Sequence, residues 1–129
     1  MNQTAKDLAS KAVSLAEEKK ALDVVVCDIR KISLIADYFI ICSGNTALQV
    51  KAIADHLVEK LDEHRFVLLR QEGYRDGIWV LLDFGEVVIH IFQPEVRSFY
   101  NLERLWKNSS QIYPEDNSLN SLGFADTAE

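Results

Sequence analysis

Two apolar runs separated by a short turn-like segment stand out in the second half of the chain. The first run covers residues 79–82, the second covers residues 87–92, and Asp83-Phe84-Gly85-Glu86 lies between them. This segment supplies the glycine and the polar residues that a tight reversal requires. The pattern predicts a β-hairpin in which Leu82 pairs with Val87, and we expect the rest of the chain to be organised around it.

Side chains alternate between the two faces of a strand, so the hairpin presents two different surfaces. One face is uniformly aliphatic and is predicted to be core; it holds Ile78, Val80, Leu82, Val87, Ile89 and Ile91. The other face combines an indole, an imidazole and a carboxylate with apolar groups; it holds Trp79, Leu81, Asp83, Val88, His90 and Phe92. We expect the mixed face to carry the function.

Helical spacing predicts three helices elsewhere in the chain. Thr4 can cap the first, whose apolar stripe consists of Leu8, Ala12, Leu15 and Ala16. Thr46, with Gln49 three residues later, has the pattern of a capping box at the start of the second. Pro94 stands where the third begins. We expect these helices to cover the sheet.

Three further strands are predicted outside the hairpin. Residues 23–29 and 37–43 are apolar on both faces, which is typical of central strands. A third strand begins at Phe66 and runs to Gln71-Glu72-Gly73. The resulting order, α-β-β-α-β-β-β-α, predicts an α/β (α+β) fold with a mixed sheet of about five strands, two of which flank a helical crossover.

The end of the chain has a different composition from the rest. From Ser109 onward the sequence loses its periodicity and gathers Ser, Asn, Asp and Pro, which is typical of a mobile tail. We therefore expect one α/β domain at residues 1–108 and an acidic tail at residues 109–129.

The charge is divided unevenly between these parts. The formal net charge is −6, and residues 111–129 contribute −4 of it because they hold four acidic residues and no Lys or Arg. The rest of the chain carries only −2, and no run of Lys and Arg in it exceeds two residues. A protein that held nucleic acid by its phosphates would need a basic face. We expect a partner protein or a small molecule instead of a primary nucleic-acid contact.

The sequence also bears on the compartment. No apolar run reaches the length of a membrane span, and Met1-Asn2-Gln3-Thr4 has no signal-peptide layout. Cys27 and Cys42 lie inside apolar runs, where we expect small, buried, reduced thiols. We therefore expect a cytoplasmic protein with no membrane contact.

Enzymatic chemistry has weak support in the sequence. Ser43-Gly44-Asn45-Thr46 joins a strand to a helix, where phosphate often binds, but a single glycine with no lysine after it is not a phosphate-binding fingerprint. Three carboxylates are placed at strand ends: Asp28, Asp37 and Asp83. No Asp-x-Asp pair is present to place two metal ligands on one strand face. We expect no catalytic residues, no metal and no cofactor; the alternative is a nucleotidyltransferase-like enzyme that holds a nucleotide between Ser43, Gly44, Asp28 and Asp83.

Five segments, in this order, carry a resemblance to a known family: 36–44 (Ala-Asp-Tyr-Phe-Ile-Ile-Cys-Ser-Gly), 52–55 (Ala-Ile-Ala-Asp), 72–73 (Glu-Gly), the hairpin at 79–92, and 97–106 (Arg-Ser-Phe-Tyr-Asn-Leu-Glu-Arg-Leu-Trp). Together they resemble the ribosomal silencing factor family, also called RsfS or Iojap. The resemblance runs from about the first helix to Trp106 and leaves out the acidic tail after Ser110.

The resemblance implies a binding protein and not an enzyme. Members of the family bind one protein of the large ribosomal subunit, the fourteenth in the standard naming, on the surface that faces the small subunit. Their bulk blocks subunit joining and lowers translation when nutrients are short. Their fold is similar to nucleotidyltransferases without the catalytic carboxylates, and the free proteins are often homodimers.

The resemblance also indicates which residues bind the partner. Trp79 matches the ribosome-contacting tryptophan of the family, and exposed tryptophans with apolar neighbours often dominate interfaces. The expected partner-binding residues are Trp79, Leu81, Asp83, Phe84, His90 and Tyr100. The alternative for Trp79 is a core position beneath the last helix. For Phe99, Leu102 and Trp106 we expect packing of that helix onto the sheet.

Overall fold

The computed structural model describes residues 4–99 and 110–114, which contain three helices and six strands. The helices are α1 (Ala5–Glu18), α2 (Ala47–Glu63) and α3 (Pro94–Phe99). The strands are β1 (Leu22–Asp28), β2 (Tyr38–Ser43), β3 (Arg70–Glu72), β4 (Trp79–Asp83), β5 (Val87–Phe92) and β6 (Ser110–Tyr113). The predicted order of elements is confirmed, with one strand added at its end. No helix in the described ranges is long and apolar enough to cross a membrane.

The six strands form one mixed sheet in the order β3-β4-β5-β2-β1-β6. β2 and β5 are parallel, and each of the other neighbouring pairs is antiparallel. The chain therefore leaves β2, crosses through α2 and returns by way of β3 and β4 to lie beside β2 as β5. The predicted α/β fold class is confirmed, and β1 and β2 have a strand on each side, as their apolar faces predict.

The register of the β4–β5 hairpin differs from the prediction by two residues. Leu82 pairs with Ile89 and not with Val87, and Trp79 pairs with Phe92. The turn explains the difference, because the backbone N–H of Phe84 donates to the carbonyl of Val87 over 2.9 Å. Only Gly85 and Glu86 remain in the loop, and Gly85 takes the positive φ of +89° that such a loop needs.

A shift of two residues keeps every strand side chain on its predicted face. The aliphatic face is completely buried at Val80, Leu82, Val87, Ile89 and Ile91. It packs in one core cluster with the apolar stripes of α1 and α2. The pattern predicts that Ile78 is also part of the core, but Ile78 precedes the strand and is 49% exposed, so this prediction is wrong. Cys27 and Cys42 are buried, as predicted.

The two long helices begin directly after the predicted capping residues, whose side chains accept backbone N–H groups of the first turn. The Thr4 hydroxyl accepts the backbone N–H of Asp7 at 3.0 Å, and the Thr46 hydroxyl accepts the backbone N–H of Gln49 at 3.1 Å. The Gln49 side-chain oxygen accepts the backbone N–H of Asn45 at 2.8 Å. That bond lies one residue before the cap, so the second half of the predicted capping box is displaced by one position.

Residues 66–69 do not belong to β3, although the apolar pattern predicts a strand from Phe66. The backbone N–H of Phe66 donates to the carbonyl of Leu61 at 3.0 Å, so Phe66 closes the end of α2. Its side chain is buried in the core shared with α1 and α2. The observed strand contains only Arg70–Glu72, at the exposed edge of the sheet.

Residues 110–114 correct the interpretation of everything from residue 109 onward as a mobile tail. β6 pairs antiparallel with β1, and Ile112 and Tyr113 pack against the main core. The Tyr113 hydroxyl also donates to the carboxylate of Glu17 on α1. The sheet thus has six strands in place of about five, and the fold extends past residue 108.

Candidate partner-binding face

The mixed face of the hairpin lies on the side of the sheet opposite to α1 and α2. We call it the Trp79 face and define it by Trp79, Leu81, Asp83, Val88 and His90 of the hairpin, with Phe39 of β2. Register brings these side chains together: His90 lies beside Leu81 on one side, and Val88 lies beside Phe39 on the other. Residues from three strands therefore contribute to one surface.

A hydrogen bond joins the two polar aromatic residues of this face. The indole Nε1 of Trp79 donates to Nδ1 of His90 over 3.2 Å. An indole N–H is only a donor, so Nδ1 is the acceptor and a neutral His90 carries its proton on Nε2. Burial lowers the pKa of His90 to about 4, so the imidazole is neutral at pH 7.

Ring contacts surround this hydrogen bond. Trp79 meets Phe92 edge to face with 5.6 Å between the ring centroids, and Phe39 meets His90 edge to face at 5.0 Å. His90 is only 8% exposed, whereas Trp79 is 36% exposed. Trp79 is therefore anchored from below and still presents part of its ring to solvent.

A groove of about 330 Å³ adjoins Leu81 and His90. Its lining is mainly apolar and consists of Ser33, Ile35, Ala36, Phe39, Leu69, Arg70, Leu81, Asp83, Gly85, Val88 and His90. At its rim, Arg70 Nε lies 3.7 Å from Asp83 Oδ2. Ile35 and Leu69, which also line the groove, are 88% and 65% exposed. Clustered exposed apolar side chains of this kind mark interaction surfaces.

The loop between β1 and β2 is the part of this surface that sequence reasoning missed. It contributes Ile35 to the groove and exposes Ile32 and Leu34 nearby in the chain. A signal was present, since three aliphatic residues occur between positions 32 and 35 in a segment with no predicted helix or strand. Exposed aliphatic residues in an irregular loop are candidates for partner contact.

The predicted partner-binding residues do not all reach this face. Trp79, Leu81, Asp83 and His90 lie on it. Phe84 points to the opposite side, where it is buried in the core with the aliphatic residues of the hairpin. This core position does not support the predicted role of Phe84 in partner binding, and it arises because the turn keeps the residue in the strand alternation. Tyr100 lies outside the described residues, as do Leu102 and Trp106.

The residues of the alternative nucleotide site are far apart. Asp28 pairs with Tyr38 at the first residue of β2, and Ser43 is the last residue of β2. At about 3.3 Å per residue the two ends of this strand lie roughly 16 Å apart. Asp83 lies at the same end of the sheet as Asp28, because Asp83 pairs with Val88 on β5 and Val88 pairs with Phe39 near the start of β2. The geometry does not gather these four residues around one ligand.

The hydrogen-bond partners of these residues also differ from those expected at a nucleotide site. Arg30 forms a fork on Asp28, with Nη2 to Oδ2 at 2.6 Å and Nε to Oδ1 at 3.0 Å, and it lowers the pKa of that carboxyl group. Ser43 is buried and accepts a hydrogen bond from Arg97 at 3.3 Å. Within residues 4–99 and 110–114, no three metal-ligating side chains form a group that could hold an ion.

Comparison with known proteins identifies the family. The family model described as "Ribosomal silencing factor during starvation" matches residues 2–128, which includes the acidic end of the chain. The chain belongs to this family. It is similar to the ribosomal silencing factor RsfS of Bacillus subtilis, with 43% identity over 106 residues that cover 82% of this chain and 88% of that protein.

More distant relatives and solved structures of the family agree. The chain is 35% identical over 98 residues to mouse "Mitochondrial assembly of ribosomal large subunit protein 1", which covers 73% of this chain and 42% of that protein. A crystal structure of a protein from Chromobacterium violaceum superimposes with a TM-score of 0.78 at 33% identity, covering 81% of this chain and 87% of that one. The RsfS fold is thus shared by the described part of the chain.

Proposed function

We propose that this chain represses translation by binding the large ribosomal subunit through its fourteenth protein, in the cytoplasm. On the intersubunit surface its bulk then blocks joining of the small subunit. Membership of the silencing factor family supports the biological role, and the name of the mouse relative points to the large subunit. One observation supports the choice of this surface: Trp79 is held by a hydrogen bond to His90 and is partly exposed beside an apolar groove.

The mechanism is steric, so it needs no catalytic group. The chain occupies a surface that the small subunit requires, and the fraction of large subunits blocked equals the fraction bound. A partly exposed tryptophan among apolar neighbours is the type of residue that dominates such contacts. Its truncation to alanine typically costs about 2 kcal/mol or more of binding free energy, which is roughly a thirtyfold loss of affinity.

The decisive experiment is co-sedimentation of the purified chain with isolated large subunits. Wild type is compared with Trp79→Ala and with Leu48→Ala, a matched loss of an exposed apolar side chain on α2, on the other side of the sheet. We expect wild type and Leu48→Ala to sediment with the subunits and a folded Trp79→Ala to remain in the supernatant. Equal binding by all three variants would move the contact away from the Trp79 face.

Two further measurements test the partner and the mechanism. The isolated fourteenth protein, immobilised, should retain wild type and release Trp79→Ala. In a mixture of both ribosomal subunits, wild type should reduce the amount of joined ribosomes in a sucrose gradient. Binding whose logarithm falls steeply with the logarithm of salt concentration would indicate that phosphate contacts dominate, contrary to a protein-to-protein contact.

We also propose that the free chain forms a homodimer. The exposed apolar side chains near the groove, Leu34, Ile35 and Leu69, are stabilised when a second surface covers them. Light scattering of wild type and of Leu34→Asp, compared with Trp79→Ala, separates dimer contacts from ribosomal ones. A monomer at every concentration tested would contradict the homodimer.

A further inference from the structure

We propose that His90 is a positioning residue for the partner contact: its Nδ1 holds the indole of Trp79 in the orientation that the partner meets. This inference rests on the proposed function, because it concerns the same face. His90 itself lies beneath the surface and need not touch the partner. It acts through the indole ring of Trp79, which touches the partner.

Trp79 needs such a constraint because burial alone does not fix its ring. The side chain stands at the first residue of β4 and is 36% exposed. The edge contact with Phe92 supports one side of the ring, and the hydrogen bond to Nδ1 of His90, at 3.2 Å, supports its polar edge. A side chain that is ordered before binding loses less entropy on binding, so the partner is held more tightly.

His90 is well placed to supply this constraint. It lies on β5 between β4 and β2, is 8% exposed, and packs edge to face on Phe39. Its ring is therefore fixed by the interior of the sheet. Burial also lowers the pKa of His90 to about 4, so Nδ1 stays available as an acceptor at pH 7.

The other ring nitrogen shows that packing alone does not explain a histidine here. Nε2 of His90 is buried and has no hydrogen-bond partner in the described part of the chain. A buried polar group without a partner lowers stability, and an apolar side chain of similar size would avoid that loss. The acceptor at Nδ1 is the feature that an apolar residue could not provide.

The same hydrogen bond sets the chemistry of the contact. Because the indole N–H is directed at His90, the exposed part of Trp79 meets a partner through the carbon atoms of its rings. Leu81 and the apolar groove continue this surface. We therefore infer that the partner presents an apolar patch to Trp79, not a carbonyl or carboxylate acceptor.

A matched pair of variants, His90→Asn and His90→Leu, tests the inference. Asparagine and leucine have the same branched shape, and both remove the ring contact with Phe39. Only asparagine keeps an acceptor close to the position of Nδ1. We expect His90→Leu to bind large subunits about tenfold more weakly than His90→Asn, the size of effect that one hydrogen bond produces. Equal affinities would overturn the proposal.

The double variants with Trp79→Phe provide the specific control. Phenylalanine has no N–H for His90 to hold, so the difference between asparagine and leucine at position 90 should disappear. A difference that persisted would show that position 90 acts on binding by another route. If wild type does not bind large subunits, the proposed function is wrong. If wild type binds but His90→Asn and His90→Leu have equal affinities, only the positioning role of His90 is wrong.

A measurement on the free protein tests the geometry without the ribosome. In ¹⁵N-labelled wild type, the indole N–H signal of Trp79 is identified by its loss in Trp79→Phe. We expect this proton to exchange slowly with solvent in wild type and quickly in His90→Leu, with His90→Asn restoring slow exchange. Fast exchange in wild type would overturn the positioning role even if the variants fold poorly.

Discussion

Gly73 lies directly against the backbone carbonyl group of Trp79. A Cβ atom added to Gly73 would overlap the carbonyl oxygen of Trp79, and Gly73 also has a φ of +81°. The overlap excludes a side chain at this position unless the start of β4 moves, and the positive φ adds backbone strain for any residue other than glycine. The turn after β3 therefore holds the backbone that presents Trp79.

Substitution of Gly73 tests this relationship. We expect Gly73→Ala to lower the free energy of unfolding by about 2 kcal/mol or more, because the positive φ and the overlap both penalise the folded state. Binding to large subunits should weaken as well, since Trp79 is displaced. Urea denaturation and co-sedimentation measure the two effects. Asp76→Ala, an exposed change in the same turn, should leave both nearly unchanged; an equal loss there would contradict a role specific to Gly73.

Phe84 is expected to matter for stability and not for binding. Its side chain is buried in the core on the helix side of the sheet. We expect Phe84→Ala to lower the free energy of unfolding by about 3 kcal/mol, from lost burial and the cavity left behind. Phe84→Leu should stay folded and bind large subunits as wild type does. Weak binding by a folded Phe84→Leu would return Phe84 to the interface.

The buried His90 predicts a pH dependence of stability. The pKa of His90 is near 6.5 in the unfolded chain and about 4 in the folded one, because burial disfavours the charged ring. Between these values only the unfolded state binds the extra proton, so stability falls as the pH drops from 6.5 to 4. At about 1.4 kcal/mol per pKa unit the loss is about 3 kcal/mol. Above pH 6.5 the contribution is constant.

Comparison with a variant isolates this contribution from that of the carboxyl groups. Urea unfolding of wild type and His90→Asn at several values between pH 7.5 and 4 should show a shallower decline for the variant. Parallel curves for the two proteins would mean that His90 does not titrate as its burial requires.

The edge strand β6 is expected to contribute to stability. Ile112 packs against the main core, whereas Gln111 beside it is exposed. We expect Ile112→Ala to lower the free energy of unfolding by about 1.5 kcal/mol, as for a half-buried aliphatic side chain, and Gln111→Ala to have little effect. If urea denaturation showed a negligible effect for both Ile112→Ala and Gln111→Ala, this would mean that β6 does not pair with β1 in solution.

Local patterns determined much of this protein. Alternation along the hairpin separated the aliphatic face of Leu82 from the mixed face of Trp79, because side chains in a strand must alternate whatever lies beside it. Thr4 and Thr46 determined the starts of two helices, because a cap acts on N–H groups only a few residues away. The motifs between positions 36 and 106 pointed to the silencing factor family, which the comparison confirmed.

The tertiary structure decided what depends on residues far apart in the chain. The turn residues allowed a loop of either four or two residues, and only the shorter one buries Phe84 and pairs Trp79 with Phe92. β6 had no periodic pattern of its own, because an edge strand takes its conformation from pairing with β1. The predicted register already placed Trp79 directly opposite His90. The observed register makes the two residues diagonal neighbours, and only the tertiary structure showed that the indole N–H reaches Nδ1 from there.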